Sequence, residues 1–175
     1  MGRTIAGFIA AAVLVAASCG RGKSSAPALP PPPTPMPPPV QLYYDNGAGV
    51  RDSVREVIHD AAKLAEYWQR ATSTQASPPA VPQLDFTREM AIIVAAGRMT
   101  PEDEIRVDSL LVRRELTPEG KNVETLTVVV RTIRGCGRFR TDAFPVEIVR
   151  ARKFDGPVKW AERREQNCSG QPESP

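Results

Sequence analysis

Histidine is almost missing from this 175-residue chain: there is one, His59, and only three cysteines, Cys19, Cys136 and Cys168. That inventory argues against a Cys/His metal cage, and no metal or other cofactor is expected. Long apolar runs are missing too. The longest uninterrupted apolar stretch, residues 5–17, has 13 residues, whereas a membrane-spanning helix needs about 20. Net charge is small, +3 from 23 Lys+Arg and 20 Asp+Glu. Arg3, Arg21 and Lys23 precede residue 41 and no acid does, so residues 41–175 carry 20 basic and 20 acidic side chains. A neutral domain argues against binding nucleic acid by phosphate neutralisation. No Gly-rich phosphate loop, GxSxG elbow or HExxH pair occurs. No enzymatic activity and no small-molecule substrate are expected.

What is present is unevenly placed. Arg3 followed by the 5–17 run has the layout of a secretory signal. The run closes on Val15-Ala16-Ala17-Ser18-Cys19, which resembles the bacterial lipobox, with Ala16 where Leu is usual. Residues 1–18 then form a lipoprotein signal peptide, and Cys19 becomes the lipidated first residue of the mature chain. Several acyl chains, at about 0.8 kcal/mol per buried CH2, make such an anchor durable. Gly20, in place of Asp, favours the outer membrane, so the expected location is the bacterial cell envelope. Nine of the 18 prolines lie between Pro27 and Pro39. Residues 19–40 therefore read as a disordered Pro-rich tether, extended at about 3.1 Å per residue in its Pro runs. The domain is expected over 41–168, with a disordered tail at 169–175.

That domain is long enough for one independent core. Residues 51–72 allow two readings. Val54, Ile58, Ala61, Leu64 and Trp68 recur at helical spacing, and Ser53–Glu56 fits a capping box. Val54, Glu56 and Ile58 also alternate as a strand, with Asp60 as N-cap of a shorter helix. The continuous apolar run 90–96 predicts a strand buried on both faces. Residues 104–112 and 123–132 predict a hairpin across the turn Thr117–Asn122. Phe144, Val146 and Ile148 share one face of a further strand, whose Pro145 marks an edge or a start. Residues 158–163 predict the last strand. The expected fold is α+β: a mostly antiparallel sheet of five to six strands with one α-helix packed on it.

Several of these residues together resemble the C-terminal domain of the PrcB protease-complex subunit family. They are Trp68, Pro78-Pro79, Leu84-Asp85-Phe86-Thr87-Arg88-Glu89-Met90 with its strand ending at Gly97, and Phe144-Pro145-Val146-Glu147-Ile148-Val149-Arg150. The resemblance spans about residues 50–165. It implies a strand followed by a helix over 51–72. It also implies a binding role for a protein partner, in a protease or other envelope complex. One element departs: Met99-Thr100-Pro101-Glu102-Asp103-Glu104 stands where the family carries a Gly-Gly-Tyr-like motif.

Beyond the inner membrane an even pair of cysteines is naturally a disulfide. Cys136 and Cys168 are expected to form one, closing a loop of 33 residues. The rival role, Cys136 as a nucleophile, needs a base beside the thiol, and His59 lies in a distant segment. Arg131, Arg134, Arg138 and Arg140 open a basic stretch that continues through Arg150, Arg152 and Lys153. It reads either as a partner-binding patch for an acidic protein or lipid headgroup, or as solvated strand faces paired with acids. The run Glu102-Asp103-Glu104, with Asp108, reads as a solvated turn and lacks the Gly and closing Glu of a calcium loop. Trp68, Phe86 and Trp160 are expected in the core.

Overall fold

The computed structural model describes residues 31–117, 120–137 and 140–168. The expected signal peptide at 1–18, Cys19, Arg138 and the expected tail at 169–175 lie outside these residues. The architecture is α+β with eight strands, not five to six: β1 Thr34–Pro35, β2 Val40–Asp45, β3 Ser53–Ile58, β4 Glu89–Ala96, β5 Glu104–Leu116, β6 Asn122–Arg134, β7 Val146–Arg152 and β8 Val158–Gln166. The single described helix, α1, is Ala61–Thr72. Two four-stranded sheets form, in the orders β1-β5-β6-β8 and β2-β7-β4-β3.

The layers follow from β4. Its alternate residues Met90, Ile92 and Val94 join a core with β5, β6 and β7, including Ile105, Leu126 and Val128. Ala91, Ile93 and Ala95 point the other way, onto Leu64, Tyr67, Trp68 and Ala71 of α1. The β2-β7-β4-β3 sheet is thus covered on both faces, by the helix and by the second sheet. A strand inside such a sandwich has no solvent side, which is why β4 reads as an unbroken apolar run.

Residues 51–72 resolve as strand then helix. β3 pairs with β4 from Ser53↔Ala96 to Ile58↔Ala91. Asp60 has an extended backbone, and its Oδ1 accepts from Lys63 N at 2.8 Å. That cap satisfies a donor the first helical turn cannot use internally. At the other end the Ala71 carbonyl accepts from Gly49 N at 3.2 Å and from the Tyr43 hydroxyl at 3.3 Å. A Cβ on Gly49 would collide with the Arg70 carbonyl and Ser73, so only glycine lets this loop approach the helix end.

Of the two unexpected strands, β1 lies inside the Pro-rich stretch and β2 starts directly after it. Thr34 and Pro35 pair with Val112 and Leu111, and Met36 N donates to the Leu110 carbonyl at 2.8 Å. Met36 packs against the inter-sheet core. The sheets therefore begin at Thr34 and not at Gln41, inside the stretch expected to be tether. Pro35 is tolerated because β1 is an edge strand, where the missing N–H leaves no gap. The β5–β6 hairpin forms as expected, with Gly120 at φ +77° in its turn. β7 starts directly after Pro145 and lies in the middle of its sheet. β8 pairs with β6 in parallel, from Leu126↔Val158 to Arg134↔Gln166. Parallel neighbours need a crossover, and β7, in the other sheet, supplies it.

Candidate functional site

One end of the sandwich gathers three loops. Gly97, at φ +74°, ends β4. Met99 and Ala143 exchange two backbone hydrogen bonds at 2.9 Å, and Phe144 N donates to the Asn46 carbonyl at 2.6 Å. Asn46 Nδ2 reaches the Pro101 carbonyl at 3.3 Å. The Arg51 guanidinium lies 4.0 Å over the Phe144 ring.

Asp103 is the centre of this end. It is 1% exposed, which corrects the solvated-turn reading. Its Oδ2 accepts from Thr100 N at 3.0 Å and from Arg134 Nη1 at 3.0 Å, and its Oδ1 from Gly135 N at 2.9 Å. Burial alone would raise its pKa. The backbone donors of Thr100 and Gly135 and the Arg134 charge outweigh that and hold it below the usual carboxylate value. Beside it Glu102 Oε2 accepts from Gly137 N at 2.9 Å. The residue before Gly137, Cys136, is joined to Cys168 by a disulfide, and Gln166 Nε2 lies 3.3 Å from Cys136 Sγ. Asn167 N donates to the Arg134 carbonyl at 2.8 Å. The loop after β6 is thus fastened to the β4–β5 turn and to the end of β8. His59, on the β3–α1 junction, is exposed.

The expected arginine patch is only partly free. Arg131 contacts Asp108 at 3.5 Å and Glu165 at 3.6 Å. Arg134 is on Asp103. Arg140 is exposed and forms no ion pair with a described residue. Arg98 pairs with Asp142 at 2.9 Å. Arg138 lies outside the described residues.

A second charged feature joins the sheets. The β5 register shifts between Val107 and Ser109, and Val107 N donates to Glu147 Oε2 at 2.5 Å. Glu147 Oε1 is 3.5 Å from Arg106 Nη1. The Arg106 guanidinium sits 3.3 Å over the Tyr44 ring. Burial pushes the Glu147 carboxyl up, against the pull of Val107 N–H and Arg106. This is a tie between layers, with both partners already engaged.

At the opposite corner, a groove of about 510 Å³ lies between Pro37-Pro38 and the 85–89 turn. Its floor follows from the register. Glu89 stands beside Arg152 and Ala91 beside Arg150 across β4–β7, while Val40 faces Arg150 across β2–β7. Arg150 and Arg152 are in phase with Ile148, so they continue the helix-side face beyond the helix's cover. Arg88 completes the rim. Of these three, only Arg150 and Arg152 belong to the basic stretch legible in sequence. Arg88 stands 62 residues before Arg150 in the chain, and no local signal marks it. Trp68 is buried as expected, at 4% exposed, whereas Phe86 is only half-buried against the helix-side core. Trp160 is half-buried against the inter-sheet core.

Among the described residues no three His, Cys, Asp or Glu side chains are placed to share a metal ion. No described helix is long and apolar enough to cross a membrane. No family model, curated protein or solved structure matches this chain. The PrcB-like reading therefore rests on the residues quoted for it.

Proposed function

We propose that this chain is a non-enzymatic, lipid-anchored envelope protein whose domain binds a protein partner. The partner reading follows the PrcB-like residues: an accessory subunit of an exported protease or other surface complex. The observation that supports it best is the loop end built on Asp103 and the Cys136–Cys168 bond. Three loops from different strands are held there by hydrogen bonds and a covalent link. Such a surface loses little conformational entropy when it docks. Cys19, through its acyl chains, would keep the domain near a membrane-bound partner. High effective concentration would then compensate for a modest intrinsic affinity.

The test is affinity capture of the full lipoprotein, tagged at its C-terminus, from cross-linked, detergent-solubilised envelope. A stoichiometric protease or surface protein that depends on residues 41–175 is the expected result. No retained protein at good expression would count against the reading. Arg140→Glu, with Arg98→Glu as a second variant at the same end, should reduce capture if the loop end is the contact.

A further inference from the structure

We propose that the groove between Pro37-Pro38 and the 85–89 turn binds the phosphate of an anionic phospholipid headgroup. The ligand chemistry is a phosphodiester anion, and Arg88, Arg150 and Arg152 are the residues that would hold it.

The groove lining carries three arginines against two carboxylates, Asp85 and Glu89. Arg88 and Arg152 are exposed and form no ion pair with a described residue. Arg150 has one contact, with Glu89 Oε1 at 3.5 Å, longer than a good charge-assisted hydrogen bond. The two carboxylates nearby are already occupied. Asp85 Oδ1 accepts from Thr87 N at 3.0 Å and from Thr87 Oγ1 at 2.5 Å. These bonds, with a smaller pull from the Arg88 charge, hold its carboxyl below its usual value. Glu89 Oε2 accepts from Asp85 N at 3.1 Å. Three guanidinium groups therefore line a concave space beside two carboxylates that already accept from Thr87, from Asp85 N and from Arg150. Planar guanidinium groups match a phosphate's oxygens.

Two further observations select a lipid as the source of that phosphate. Val40, on the wall of the groove, is 49% exposed, and Pro37 and Pro38 are exposed beside it. An apolar lip next to cationic donors suits the boundary between headgroup and acyl chains. The groove also stands where the chain enters the fold. From Cys19 to Thr34, 15 residues reach at most roughly 50 Å, so a lipid on Cys19 keeps this corner within reach of the bilayer. That positional argument rests on the anchoring reading; the charge argument does not.

The experiment uses the full chain purified in neutral detergent. Phosphatidylglycerol or phosphatidylcholine is added, and bound lipids are counted by native mass spectrometry. The same spectra report whether Cys19 carries acyl chains, so anchoring and groove binding succeed or fail separately. Phosphatidylglycerol should be retained at least tenfold better than phosphatidylcholine. Arg88→Glu/Arg152→Glu should weaken retention about 30-fold, at roughly 1 kcal/mol per basic residue near an anionic headgroup. Arg113→Glu/Arg164→Glu, two exposed arginines elsewhere, should change it less than twofold. If the Glu pair fails to fold, Arg88→Gln/Arg152→Gln tests the same loss with less perturbation. Equal retention of the two lipids overturns the proposal, and so does an equal loss in the Arg113/Arg164 variant. Displacement by equimolar inorganic phosphate would also overturn it, since the site would then take a free anion.

Discussion

Asp103→Asn probes the part of the molecule on which the loop end depends. The wild-type carboxylate satisfies two buried backbone donors, Thr100 N and Gly135 N, and one guanidinium, Arg134. Hydrogen bonds to a charged group contribute about 1.5–3 kcal/mol each. Arg134 is 56% exposed, so its pair contributes only about 0.5 kcal/mol. The two backbone bonds then carry roughly 3 kcal/mol between them. Asparagine keeps one acceptor oxygen but turns an NH2 toward the remaining donors. The expected loss is about 3 kcal/mol at pH 7, a large share of a typical 5–15 kcal/mol. The pH dependence has a definite sign. The folded pKa is depressed, so this stabilisation is present above the unfolded value, about 3.9. It disappears as pH falls through the lower folded value. Urea denaturation of both proteins at stepwise pH should show a gap that is full at neutral pH and closes in acid. A gap that stays constant down to about pH 2.5, or one below about 1 kcal/mol at pH 7, refutes the assignment.

Replacing Cys136 and Cys168 by Ser should cost about 3.7 kcal/mol at 25 °C, from the chain-entropy relation and a separation of 32 residues. Guanidinium midpoints of the variant and parent would measure it, and a loss under about 1 kcal/mol would show that the bond constrains the unfolded chain little. Trp68→Ala empties the space between α1 and β4 and frees the Pro79 carbonyl, which now accepts from Trp68 Nε1 at 2.9 Å; a loss of about 3–5 kcal/mol is expected in thermal melts. Glu147→Gln should gain on the wild type as pH rises. The folded pKa of Glu147 is raised, so its contribution is full below the unfolded value, about 4.3, and is lost as pH climbs through the folded one. Melts from pH 4 to 8 that show a flat or opposite difference would contradict this.

How much of this was readable in advance varies by element, and the reasons are physical. Asp60 announces α1 because capping is local: the side chain answers a donor three residues away. β4 is legible because burial on both faces removes every polar position from the strand. The hairpin is legible because its two strands and turn are contiguous. β1 and β2 are not, since Thr34-Pro35 has no strand pattern of its own and exists through pairing with β5, nearly 80 residues later. Asp103 looks like a member of an acidic turn. Its burial depends on Gly135 and Arg134, which arrive from another strand.

The sequence by itself determined the local choices: where the helix is capped, where turns reverse the chain and which runs must be buried. These depend on neighbours within a few residues, so composition and spacing suffice. Only the tertiary structure decided which charges are free. Arg131 and Arg134 meet acids brought to them by sheet pairing, while Arg88 and Arg152, distant in the chain, are placed around one groove without an ion pair to a described residue. An ion pair is a matter of a few ångströms, and in this fold those distances are set by the register between strands far apart in sequence.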